Sequence, residues 1–349
     1  MPKDLYAAAA SGELGTLPPE ALTAAALAAR NASGTTPLHL AAKNGCLKDI
    51  PPGILTEELM ALKNVAGYTP LHHAALGGHL DQVPPVLLSP TALFRRSNAG
   101  FTVFHVAAAN GNLNQLPAPL ITKEVVLTKT DVGNTLLHEA AEKGALDRFP
   151  KEFITPENMA QRNVGGETVL HVAAFNGHLD QVPRPLLTTA AMRETTGAGD
   201  TVFHAAAISG NLGQVPADLL VHDNLVIASK TGFTAIHAAA ETGQLDRIPP
   251  HQITAQLLLT RNDNGDTPLH AAAYEGHLDQ IPVAFLTREM MATRSYEGAT
   301  VAQIALNRGF LGQIPEDARP KSVSGFQRFM RRLSQARLPM LPLRSRRKD

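Results

Sequence analysis

Eight histidines, His39, His72, His105, His138, His171, His204, His237 and His270, recur at an unbroken spacing of 33 residues, each inside a copy of one phrase. A unit that short cannot bury a hydrophobic face by itself, so its copies must stack and share one continuous core. The period therefore predicts an elongated body, and it directs the search for function to an extended surface.

Other positions keep the register. Glycine stands at 34, 67, 100, 133, 166, 199, 232, 265 and 298, where a turn calls for positive φ. Two residues on, threonine fills every copy from Thr36 to Thr300 and predicts a helix N-cap. Small residues follow, Ala41 through Ala305, where one helix must approach the next closely. A second glycine, from Gly12 to Gly309, ends that helix in the left-handed conformation, giving a first helix of about eight to ten residues. The leucines two residues later, Leu47 to Leu311, are assigned to the core.

The phrases GYTPLHHAALGGHLDQVP from Gly67 and GDTPLHAAAYEGHLDQIP from Gly265 resemble the ankyrin repeat, whose first half reads G-x-T-P-L-H-x-A-A-x-x-G-H-L. The resemblance covers residues 34 to 318, with residues 3 to 31 as a reduced first copy carrying Tyr6 at the histidine position. It implies an all-α, ankyrin-like solenoid of about ten 33-residue repeats that binds other proteins. The expected organisation is an N-terminal capping repeat at 1–33, a repeat solenoid at 34–318 whose last copy is a cap, and a basic tail at 319–349.

The second half departs from that family. A proline recurs from Pro18 to Pro315, four residues past the leucine, in the pattern LxQxPxxLLT. Proline removes an amide donor and clashes with the preceding turn, costing about 3 kcal/mol inside a helix. One short turn, Leu80 to Val83 in the second full copy, and then a break are expected. The hydroxyls of Thr56, Ser89, Thr122, Thr155, Thr188, Thr254 and Thr287 then predict caps of a further short helix, with Val221 the exception. Leu59, Leu93, Val126, Met159, Met192, Leu225, Leu258 and Met291 should close the core.

Cys46 is the only cysteine among 349 residues, which excludes an intramolecular disulfide and fits a reducing cytoplasm. The N-terminal stretch is interrupted by Asp4, Gly12 and Glu13 and does not read as a signal peptide. The net charge of zero hides an asymmetry: residues 319–349 hold ten Lys or Arg against one acid, and residues 1–318 hold 21 against 30. The two parts should attract one another or seek different partners.

No motif for catalysis or a cofactor emerges. Histidines one repeat apart stand roughly 8–10 Å from each other in a helix stack, too far to converge on one metal ion. They read as ties between adjacent turns. His79, His178 and His277 lie three repeats apart and fail the same test. Cys46 occupies a column that elsewhere holds His, Asn, Ala or Gln, which argues against a nucleophile. The chain is thus expected to be a non-enzymatic scaffold without cofactor or small-molecule substrate.

Positions that vary between copies are free of scaffold duty, and large apolar groups there mark recognition patches. Tyr68, Phe101 and Phe233 precede the cap threonine, and Leu76, Phe175, Ile208 and Tyr274 lie two past the repeated alanine. These seven are the candidate partner-binding residues. In the tail, Phe326, Phe329, Met330 and Leu333 fall at helical spacing, with Arg328, Arg331 and Arg332 elsewhere on the wheel. That pattern suits a cap on the last repeat, an anionic membrane or an acidic partner, and the closing basic cluster suits nucleic acid or nuclear entry. The alternatives to a scaffold are accordingly a tail-targeted membrane or nucleic-acid tether, or an exported effector whose repeats bind a host protein.

Overall fold

The computed structural model describes residues 5–319. The tail candidates Phe326, Arg328, Phe329, Arg331 and Arg332 lie outside the described residues.

The described chain is a stack of short helices, and successive first helices pack side by side along it. Those helices are seven or eight residues long, as in Pro37–Asn44, Pro70–Gly77, Val103–Ala109 and Leu136–Lys143. Each starts on its threonine. The backbone N–H of Thr69 donates to Nδ1 of His72 at 3.2 Å, completing a capping box in which histidine takes the role usually given to glutamate. Gly78 ends the helix at φ 76°, a conformation L side chains rarely adopt.

The proline break is observed, with one element more than expected. After a three-residue 3₁₀ turn, Leu80–Gln82, Pro84 sets an extended backbone and a second 3₁₀ turn follows over Pro85–Leu87. A four-residue α-helix, Pro90–Leu93, capped by the Ser89 hydroxyl, completes the unit. Proline cannot donate but its carbonyl still accepts, and the N–H of Leu87 bonds back to Pro84, so the chain re-coils beyond the break. Thr56, Thr122, Thr155, Thr188, Thr254 and Thr287 cap equivalent helices, whereas Val221 supplies no side-chain cap.

The glutamine of the same motif joins neighbouring repeats. Gln115 donates from Nε2 to the carbonyl of Gly78 at 2.7 Å and accepts from the N–H of Leu80 at 3.0 Å. Gln181, Gln214, Gln280 and Gln313 repeat this double bond on the preceding copy. Orphan groups at the end of one first helix are thereby satisfied by the next repeat.

The core is continuous. The repeated alanines are fully buried, as are Leu93, Val126, Met192, Leu225 and Leu258 from the closing helices. Contact is closest where Gly77 faces the preceding repeat: a Cβ there would stand 1.9 Å from the carbonyl oxygen of Lys43. Gly77→Ala should therefore destabilise by about 1–3 kcal/mol through overpacking, even though alanine is the better helix former. Thermal unfolding followed by circular dichroism reads the sign; a raised melting temperature would show that these helices can part at no cost.

Candidate functional site

The histidine ladder is an internal brace. In each copy from His39 to His270 Nδ1 faces the cap threonine, so Nε2 carries the proton and donates outward. His72 Nε2 reaches the carbonyl of Phe101 at 3.1 Å, and His138, His171, His204 and His237 reach those of Glu167, Asp200, Phe233 and Asp266. These rings bridge to the next repeat with both nitrogens engaged, whereas His105 Nε2 reaches the carbonyl of Thr128 in its own repeat at 3.1 Å. Burial pushes the pKa values of His72, His105, His138, His237 and His270 down to about 4, against the weaker pull of the carbonyl bonds. Among the described residues no group of three or more His, Cys, Asp or Glu side chains is placed to hold a metal ion. Cys46 is buried, and burial raises its thiol pKa, the reverse of an activated nucleophile.

A second ladder runs along the hairpin turns between repeats. Arg30, Lys63, Arg96, Lys129, Arg162 and Arg261 each donate to the backbone carbonyl of the residue 33 positions on. Beside them, the N–H groups of Val65, Asn98, Asp131, Val164, Gly197, Lys230, Asp263 and Tyr296 bond to the preceding turn. The turns are thus locked into a rigid row. The recurrence of a cation at this spacing is visible in the sequence and was not read there as a brace.

Between this row and the first helices lies a groove of about 1160 Å³ that crosses five repeats. Tyr68, Leu76 and Phe101 line one end of it; Val132, Val164 and Asp200 belong to its turn side. Phe233 and Tyr274 line a smaller hollow of about 170 Å³ farther along, beside Glu241, Asp266 and Glu275. Phe175 and Ile208 line neither. They occupy the same helical position as Leu76 and Tyr274, on the two first helices that stand between those lining the two hollows, and are 38% and 39% exposed.

The seven candidates therefore fall on one side of the stack, in two classes. Leu76, Phe175 and Ile208 are exposed. Tyr68, Phe101, Phe233 and Tyr274 are half-buried, contrary to the expectation of free apolar groups. Three of these rings rest on the histidine of their own repeat: Tyr68 on His72 at 5.3 Å, Phe101 on His105 at 6.1 Å and Phe233 on His237 at 5.3 Å. Tyr274 instead lies beneath the guanidinium of Arg308 at 5.4 Å.

Sequence reading missed the polar floor of the groove. Glu139 is 3% exposed, yet its column elsewhere holds Leu40, Val106, Val172, Ala205, Ala238, Ala271 and Ile304. Asn134 donates to its carboxylate at 2.9 Å, and Asn163 donates both to Asn134 at 3.1 Å and to the Glu167 carboxylate at 2.8 Å. The other polar exception in that column, His73, also lines the groove, and burial drives its pKa down to about 3. A charged residue in a mostly apolar column was the available signal. The turn tips add exposed Val65, Val132, Val164 and Tyr296, which periodicity alone does not separate from ordinary loop residues.

Residues 104–187 match the family model for ankyrin repeats in three copies, and residues 264–284 match that for a single ankyrin repeat. No curated protein matches the chain. The three-copy match falls within the stretch of repeats that the long groove crosses.

Proposed function

We propose, for a chain that belongs to the ankyrin-repeat family, that it is a non-enzymatic scaffold whose partner lies along the groove and the exposed helix positions beside it. Ankyrin repeats are generally protein-interaction modules. The observation that carries the reading is the groove itself, about 1160 Å³ and open along five repeats, which has the length of a polypeptide segment. Its lining combines aromatic and aliphatic groups with a few placed polar ones, the composition expected of a binding hot region. Tyr68, Leu76 and Phe101 would anchor one end, Phe175 and Ile208 the middle, and Phe233 and Tyr274 the far end. The single buried thiol fits action in a reducing compartment such as the cytoplasm.

Full-length protein captured from lysate, with partners identified by cross-linking mass spectrometry, tests this. Leu76→Arg and Phe175→Asp alter exposed side chains, so each should change stability by less than about 0.5 kcal/mol while lowering partner capture by about tenfold or more. Capture unaffected by both would place the interface elsewhere.

A further inference from the structure

We propose that the C-terminal segment, residues 320–349, docks in the acidic groove of its own solenoid and that a partner must displace it. The inference goes beyond the scaffold reading and rests on the groove being the binding face. The groove lining presents Glu142, Glu167 and Asp200, above the buried Glu139 that Asn134 holds, and one ammonium, that of Lys143, which already stands 3.2 Å from Glu142. The hollow beyond it holds Glu241, Asp266 and Glu275 with no Lys or Arg in its lining. Negative charge is crowded there. Burial raises the pKa values of Glu241 and Asp266, and Glu275 and Glu297 respectively raise them further.

The complementary charge is in the same chain. Residues 320–349 contain nine Lys or Arg against Asp349 alone, and residues 1–319 contain 22 against 30 acids. Seven of these cations fall in two groups, Arg328, Arg331 and Arg332 beside Phe326 and Phe329, and Arg344, Arg346, Arg347 and Lys348 at the end. Reach permits both to be used. At ~8–10 Å per repeat, Glu139 stands about 40–50 Å from the last copy and the smaller hollow about 10–20 Å from it. An extended chain covers ~3.3 Å per residue, so the stretch from Arg319 to Arg344 spans up to about 80 Å, and that to Arg328 about 30 Å. The first group thus reaches the hollow and the second the long groove. Tethering supplies an effective concentration of about millimolar, enough to populate contacts that would be weak between separate molecules.

Photo-cross-linking of the full chain tests the assignment. Val164 is 80% exposed on the groove lip, and Val86, 81% exposed on a second 3₁₀ turn, lies outside the groove lining. With p-benzoylphenylalanine at Val164, monomeric protein should cross-link to peptides from residues 320–349, and with it at Val86 it should not. The yield should fall about fivefold or more in ~0.5 M salt, where the screening length is only a few ångströms, and likewise when Arg344, Arg346, Arg347 and Lys348 are all replaced by Glu. Absence of tail cross-links from Val164, equal yields from both sites, or a yield indifferent to salt and charge would each overturn the proposal. Cross-links joining two chains would overturn docking in cis and assign the groove to a second copy. Partner capture by Leu76→Arg is a separate readout, so failure of tail docking leaves the scaffold reading to be judged on its own.

Discussion

Lowering the pH from 7 to 4 should unfold the solenoid cooperatively, with helical circular dichroism lost between about pH 6 and pH 4. The cause is the ladder. His72, His105, His138, His237 and His270 have folded-state pKa values of about 4 against an ordinary 6.5. In that interval the unfolded chain binds protons that the folded chain refuses. Stability is therefore complete above the unfolded value, begins to fall as pH drops below it, and stops falling beneath the folded value. A shift of this size is worth about 3 kcal/mol per histidine. Protonation would also remove the lone pair at Nδ1 that receives the threonine N–H, breaking the helix cap. Repeats are coupled through their interfaces, so losses at several rungs should appear as one transition. A melting temperature unchanged between pH 7 and pH 5 would overturn the brace.

The second large effect is expected from His171→Ala. His171 is 2% exposed, accepts from the N–H of Thr168 at 3.2 Å and donates to the carbonyl of Asp200 at 3.1 Å. Alanine leaves both groups without their bond and opens a cavity in mid-stack, a combined loss of about 3–5 kcal/mol. The protein contains its own control. Gln303 stands at the ladder position of the last full repeat and accepts from the N–H of Thr300 at 3.0 Å, so glutamine can keep the cap. His171→Gln should therefore lose clearly less than alanine. Urea titration of both variants against the native chain measures the difference, and equal losses would mean that the cap bond contributes nothing.

Much of this architecture was legible in the sequence because each repeat meets nearly the same neighbours. Threonine caps, alanine contacts, helix-ending glycines and the proline break are local choices whose reasons recur every 33 residues. The groove was less legible. Tyr68, Phe101 and Phe233 looked free because the repeat pattern assigns their column no packing role, yet the rings fold onto the histidines of their own repeats. Glu139 looked like one more helix residue, and only stacking brought Asn134 to its carboxylate and Asn163 to Asn134.

The sequence by itself determined the repeat, the composition of its core and the side of each unit on which variation is allowed, since those follow from local hydrogen bonding and from which residues can be buried. Tertiary structure decided which variable residues share one surface. The carboxylates of the groove, Glu139, Glu142, Glu167 and Asp200, come from three successive repeats, and only the packing of one repeat on the next brings them onto one surface.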